Sequence, residues 1–424
     1  MSEHTTFLLT NALYQGAPSD LLVENGRVTA IGPKGSLAAP QNTPVIEGNG
    51  KTLLPGLIDA HTHMREPGFE WKEDIASGLA AAANGGFTSI MCMGNTMPVN
   101  DKAAVTRLML EKAAKAHPHG PRLFPVGALT VGLEGTELAP MRELADAGCV
   151  AFSNDGKPVT STEIFRRSME YAAMWNRVVI DHCEDPFMAK GSHMNEGYTS
   201  GMIGVKGQPS VAEALHVARD ILIAEYLDLP VHLAHISCRQ SVELIVWAKN
   251  KGVKVTAETC PHYLLFTEEM LAGYDTAAKV NPPLRTPEDR AYLRDALKDG
   301  VFDMLVTDHA PHAAHEKEEP LDEAPQGIMG LETALPLTWA LVREGVLTEK
   351  QLVQLWTTGP AKVFNLPVNT FAPGDVADFI LYDPDEEWVL DETNVRSKGR
   401  NTPLWGRTIS GRVIGTWVEG VRVK

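Results

Sequence analysis

The sequence predicts an α/β protein with a (β/α)8 barrel at its centre and β-rich segments at both ends. Three observations predict it. Eight apolar, strand-like runs alternate with helical stretches between about Leu57 and Leu366. These runs are apolar along their length rather than at every second residue, as in strands covered on both faces. The polar residues they carry fall at their C-terminal ends, where barrels build their sites. A doubly wound open sheet shares the alternation, and periodicity alone does not show closure.

The first fifty-odd residues read as short strands and turns. "DLLVENGRVTAIG" is a hairpin signal, two β-rich runs around Asn25-Gly26. The eight central runs follow in order: "GLIDAHTHM", "FTSIMCMG", "RLFPVGALT", "CVAFSND", "RVVIDHCE", "PVHLAHIS", "VKVTAETCPHY" and "VFDMLVTDHAP". Amphipathic segments such as "SVAEALHVARDILIAEYL" and "SVELIVWAKNKG" lie between them and read as helices. After the eighth run comes "HAAHEKEEPLDEAPQG", His312 to Gly327, polar and containing two prolines. It reads as a loop and a candidate lid over the site. In the last sixty residues "ADFILYDPD" and "SGRVIGTWVEGVRVK" are strand-like, so β character returns.

With 44% hydrophobic and 22% charged residues the composition is that of an ordinary globular protein. A net charge of −16 argues against sequence-independent binding of nucleic acid. No apolar run reaches membrane-spanning length, and the start does not resemble a signal peptide. Cys92, Cys149, Cys183, Cys238 and Cys260 are scattered without a CxxC pair, which points to buried thiols and a cytoplasmic protein. Cys183 stands out because it follows a histidine of interest.

In "LIDAHTHMREPG", His61, His63 and Arg65 alternate, so a strand would project all three to one side. Run four ends in Asn154 and Asp155; run five in Asp181, His182 and Glu184; run six in His235; run eight in Asp308, His309 and His312. Each has an ordinary explanation alone: a satisfied polar group, a turn at Asp155-Gly156, a helix cap at Asp308. Together, His61, His63, His182, His235, Asp155 and Asp308 put four imidazoles and two carboxylates around one mouth. That N/O set suits a borderline divalent ion, zinc above all. A catalytic zinc takes three protein ligands and a water, so six candidates suit two ions better than one. Asp155 is the natural bridge between them.

The motifs "DAHTHMREPG", "GNTMP", "FSNDGKP", "DHCED", "AHIS", "TAETCPHYL", "NPPLR" and "TDHAPH" resemble the cyclic amidohydrolase superfamily, and within it the class I dihydroorotases. The resemblance spans nearly the whole chain. It implies a distorted (β/α)8 barrel over residues 55–366, and a small β-sandwich assembled from residues 1–54 and 367–424. It implies reversible closure of N-carbamoyl-L-aspartate to L-dihydroorotate in pyrimidine synthesis. Carried over by motif, His61 and His63 would bind one zinc, His182 and His235 the other. Asp155 would bridge them, and Asp308 would be ligand and general base. Arg65, Asn95 and His312 would hold the substrate carboxylate, with Asn281 touching the ring. The resemblance also implies a homo-oligomer and allows a complex with aspartate carbamoyltransferase.

Two departures, Asn154 where relatives often have Asp and "GNTMP" where Pro-Asn-Thr is usual, spare every proposed ligand. Hydantoinases, dihydropyrimidinases and allantoinases typically bridge their metals with a carboxylated lysine at the end of strand four. Here "CVAFSNDG" has none; Lys157 comes only after Gly156. Hydrolysis of another cyclic amide is thus the less favoured enzymatic reading. An inactive scaffold subunit of aspartate carbamoyltransferase is the non-enzymatic one, disfavoured because every proposed ligand is kept.

Overall fold

The computed structural model describes residues 5–424; the first four residues of the 1–54 segment lie outside the described residues. Five strands open the chain: β1 (Phe7–Tyr14), β2 (Ala17–Glu24), β3 (Arg27–Pro33), β4 (Val45–Glu47) and β5 (Thr52–Pro55). The expected hairpin joins β2 to antiparallel β3, and Asn25 and Gly26 both take positive φ, 52° and 73°. Such a turn matches the twist of its strands, and Asn-Gly tolerates it best.

From β5 the chain runs through Gly56 straight into the barrel. Its strands are β6 (Leu57–Thr62), β7 (Phe87–Cys92), β8 (Arg122–Ala128), β9 (Ala151–Ser153) and β10 (Val178–Asp181). A short two-stranded ladder of β11 (Met194–Asn195) and β12 (Gly207–Gln208) interrupts them. Then come β13 (Val231–Leu233), β14 (Val255–Thr259) and β15 (Met304–Leu305). These are the eight runs read in the sequence, hydrogen-bonded in parallel in chain order. Closure, which periodicity could not show, comes from a parallel bridge between Thr62 and His309. There the His63 N–H donates to the His309 carbonyl at 2.8 Å. Every residue of β6 and β7 is buried, which is why their sequences do not alternate.

The helices return the chain between strands. After β6, a helix over Ile75–Gly85 starts at an Asp74 capping box and stops at Gly86, whose φ of 91° favours glycine. Phe87 follows at once, so the helix delivers β7 to its register. Phe87 meets Trp356 edge-to-face at 5.3 Å in the main core. No helix of the described residues is long and apolar enough to cross a membrane.

The chain returns to the first sheet with β16 (Phe379–Val389), β17 (Thr408–Val418) and β18 (Val421–Arg422). The strand order is β18-β17-β16-β5-β1-β2-β3, with β4 also on β1: one mixed sheet built from both chain ends. Period-2 alternation gives it two jobs. Phe379 and Leu381 enter its own core with Phe7, Leu21, Leu53 and Trp417. Ile380 and Tyr382, facing the other way, join the barrel core. The sheet thereby holds the start of β6, the strand whose far end carries the histidines of "HTH".

Candidate metal centre

The C-terminal ends of the barrel strands bring the predicted cluster together. His61 is the last residue but one of β6, and its Nδ1 lies 2.7 Å from Glu258 Oε1 on β14. His63 Nδ1 lies 3.0 Å from Asn95 Oδ1, in the loop after β7. Each acceptor is an oxygen, so each Nδ1 carries the proton and each Nε2 presents a lone pair to the barrel mouth. His61 Nε2 stands 3.3 Å from Asp155 Oδ1 and 3.8 Å from Asp308 Oδ1. His63 Nε2 stands 3.5 Å from Asp155 Oδ2 and 3.1 Å from Asp308 Oδ1.

The second pair faces the same carboxylate from the other side. His182 Nδ1 and His235 Nε2 are 2.9 Å apart. They lie 3.5 Å and 3.4 Å from Asp155 Oδ1. Ligand-capable atoms of His61, His63 and Asp155 therefore cluster, as do those of Asp155, His182 and His235, with Asp155 common to both groups. Asp308 stands on the side of the first pair.

The residues fit a metal on their own chemistry. A buried lone pair needs a donor, yet His61 Nε2 and His63 Nε2 face the carboxylates of Asp155 and Asp308, which accept only. His61 Nε2 has no hydrogen-bond partner. Protons or cations must fill that deficit, and the charge balance says so. Burial lowers the His61 pKa, but Asp155 and Glu258 more than reverse this and raise it well above its ordinary value. For His182 burial is likewise outweighed, by Asp155 and Glu184, giving about 10. Burial would raise Asp155, but His61, His182 and His235 hold it well below the carboxylate range. This cluster demands positive charge, which two divalent ions on an N/O set would supply.

Backbone geometry aims the groups. Arg65, His235 and Asp308 all have positive φ, 60°, 34° and 47°, although none is glycine or asparagine. Left-handed backbone at such residues costs of order 1–3 kcal/mol and concentrates at functional sites. Here it turns three strand ends toward one mouth. Arg65, Asn95, Asn281 and the proposed ligands other than His61 line a cavity of about 140 Å3, together with Gly156, Ala310, Gln326 and Gly327. The Arg65 Nε–H donates to the Pro311 carbonyl at 3.1 Å. Asn281 Nδ2 donates to Glu184 Oε2 at 2.9 Å, while its buried Oδ1 has no partner. His312 stands behind the cavity wall, its Nε2 3.3 Å from Arg65 Nη2. His309, also at this strand end, turns away toward the Gly330 N–H and Glu73.

Several supporting contacts escape a reading of the sequence. Glu258 holds His61 with one oxygen and His232 Nε2, at 2.9 Å, with the other. A single acid inside the apolar run "TAETC" was its only signal. Replacing Glu258 with Gln should lower metal affinity about 10–100-fold, measured as zinc retained after dialysis, with the fold preserved. Unchanged zinc content would show that His61 needs no charged partner. Asn154 Oδ1 accepts from the Leu129 and Thr130 N–H groups, both at 3.1 Å, and so fixes the strand end that carries Asp155. Asn401, far along the chain, donates to the Ala310 and Gly327 carbonyls and accepts from the His312 N–H. Cys183 is buried beside Asp181 and Asp220, and burial pushes its thiol well up. Arg219 already balances those two carboxylates, at 3.0 and 2.7 Å.

The loop from His312 to Gly327 is tied down in this conformation. Lys279 Nζ donates to the Leu321 and Ala324 carbonyls, both at 2.6 Å. Lys317 Nζ donates to the carbonyls of Pro325 at 2.6 Å and Thr276 at 3.0 Å.

The family described as Dihydro-orotase-like matches residues 50–241. The dihydroorotase of Syntrophus aciditrophicus is 47% identical over 402 residues, spanning 95% of this chain and 93% of that protein. That of Geobacter metallireducens is 48% identical over 402 residues, spanning 95% and 94%. Among solved structures, the L-hydantoinase from Arthrobacter aurescens superposes with a TM-score of 0.85 at 26% identity, covering 99% of this chain and 96% of that one. Dihydropyrimidinase from Brevibacillus agri gives 0.80 at 24% identity, covering 99% and 95%, a likeness of fold alone.

Proposed function

Since the chain belongs to the dihydroorotase family, and is a metal-dependent cyclic amidohydrolase, we propose that it interconverts N-carbamoyl-L-aspartate and L-dihydroorotate for pyrimidine synthesis in the cytoplasm. The observation that carries this reading is Arg65. Its guanidinium lines the same cavity as the histidine cluster. Among the described residues no carboxylate lies within ion-pair distance of it; its side chain meets only the Pro311 carbonyl and His312. A partly buried cation without an anion beside a metal centre calls for an anionic ligand, and dihydroorotate carries the carboxylate that dihydrouracil and hydantoin lack. Lys157 supports the same choice. It points outward to Glu134 at 3.5 Å and leaves the bridging role to Asp155.

We assign His61 and His63 to one zinc, His182 and His235 to the other, with Asp155 between them and Asp308 on the first. Zinc bound there would polarise the ring carbonyl and bring the pKa of water to about 7. Asp308 accepts the proton of the attacking water and delivers it to the departing ring nitrogen. Burial would raise its pKa, but the His63 contact and the His61 charge outweigh this and keep it an acceptor. Arg65 and the Asn95 amide hold the substrate carboxylate, and Asn281 Oδ1 accepts from a ring N–H. His312 supports that grip from behind Arg65. Run in reverse, the same groups close the ring.

The test is hydrolysis of L-dihydroorotate beside dihydrouracil, hydantoin and allantoin, each with chelator and with zinc added back. We expect dihydroorotate alone to open, activity to vanish on chelation, and zinc to restore it. Opening of another ring instead would keep the metal centre and refute the role of Arg65. Zinc-loaded protein inert toward all four would favour a scaffold subunit.

A further inference from the structure

Lys72 lies in the segment between β6 and its helix, and its side chain is only 15% exposed. Its ammonium is 3.3 Å from His312 Nδ1 and 2.8 Å from Glu316 Oε1. On the other side of the ring, His312 Nε2 is 2.9 Å from the Gln326 carbonyl and 3.3 Å from Arg65 Nη2. These neighbours decide where the ring proton sits. An ammonium has protons and no acceptor, so Nδ1 must offer its lone pair. At Nε2 an acceptor and a donor compete: the Gln326 carbonyl is nearer, at 2.9 Å against 3.3 Å for the Arg65 guanidinium, so Nε2 carries the proton and gives it to Gln326. The opposite tautomer would set an N–H against the ammonium and a lone pair against the Gln326 oxygen.

We infer that Lys72 is a positioning residue that fixes His312 as the neutral Nε2–H tautomer, and through it leaves the Arg65 guanidinium free for the substrate carboxylate. This rests on the reading of Arg65 given above. With Nε2 protonated and committed to Gln326, Arg65 has nothing to donate to at His312, and its Nη groups stay available to an anion. Were Nε2 a lone pair, Arg65 would turn an N–H into it, away from the cavity. The charged groups facing the ring are Arg65, Lys72, Lys317 and Glu316. Burial and then the three cations hold the ring's pKa down to about 2. Glu316 Oε2, 3.6 Å from Nδ1, is the one group that favours a proton there. Lys72 stands against it by pairing with the same carboxylate.

The experiment compares the zinc-loaded full-length protein with Lys72→Met and Lys72→Arg, using His-selective 15N labelling and steady-state kinetics on dihydroorotate. In the unsubstituted protein we expect His312 to show one unprotonated Nδ1 and one protonated Nε2. In Lys72→Met the Nδ1 signal should move toward the protonated position, because Glu316 then acts unopposed. KM should rise about tenfold with kcat within about twofold, as one charge-assisted contact is lost. Lys72→Arg should restore both, because it returns a cation to the position that the ammonium holds between His312 and the Phe69 ring. A His312 pattern unchanged in Lys72→Met overturns the inference, as does a changed pattern with an unchanged KM. If the unsubstituted enzyme does not open dihydroorotate, the functional reading fails, while the nitrogen signals still report whether Lys72 sets the tautomer.

Discussion

Asp308→Asn is expected to reduce turnover of dihydroorotate by about 10³-fold or more while zinc remains bound. The size follows from the role: a positioned general base contributes roughly 10²–10⁴. The substitution keeps shape and one oxygen but removes the ability to accept and return a proton. His61, His63, His182, His235 and Asp155 stay in place, so retention of metal is expected from the two clusters that Asp155 shares. The fold should tolerate the change, because Asp308 touches the His63 ring and supports no strand ladder. Three readouts separate the explanations: kcat, zinc per chain and thermal midpoint. Loss of activity together with loss of zinc would make Asp308 chiefly a ligand. Activity within tenfold of the unsubstituted enzyme would remove it as the base.

The fold was legible in the sequence because the barrel's demand on its strands is simple. A strand buried on both faces must be apolar along its length, and the eight runs say so. Their ends were harder. The run "VFDMLVTDHAP" yields only Met304–Leu305 as ladder. Past it, the Thr307 and His309 N–H groups bond to the side chains of Asp59 and Thr307, at 3.1 and 2.9 Å, so side-chain chemistry ends the strand where pattern would extend it. The histidines and carboxylates that cluster at the barrel mouth were legible because polar groups at apolar strand ends are few. What supports that cluster was not. Glu73, Glu258 and Asn401 meet partners 324, 197 and 91 residues away, and local sequence does not say which partner each will meet. Lys72, Lys279 and Lys317 belong to no motif of the sequence, yet each carries its ammonium to carbonyls or a ring nitrogen beneath the loop. The left-handed backbone at Arg65, His235 and Asp308 had no cue either, since no glycine announces it.

Arg65 is where the choice between cyclic amides is made, and Arg65→Met should expose it. We expect kcat/KM for dihydroorotate to fall about 10²–10³-fold, mostly through KM. That is the scale of losing two charge-assisted hydrogen bonds at about 1.5–3 kcal/mol each, less the part recovered by water. Zinc content should hold, since Arg65 touches none of the clustered ring nitrogens and its contacts are Pro311 and His312. Arg65→Lys should recover little, because a single ammonium cannot present two parallel N–H groups to a carboxylate. The preference for dihydroorotate over dihydrouracil should narrow by about the same factor as the affinity loss, since the substrates differ by the group Arg65 would hold. A substitution that weakened both rings equally would mean the arginine merely shapes the cavity. Kinetics unchanged in Arg65→Met would leave the guanidinium as an internal ion with no ligand. The metal cluster and its two-sided carboxylate would then stand, but the ring it opens would have to be sought among substrates without an acid.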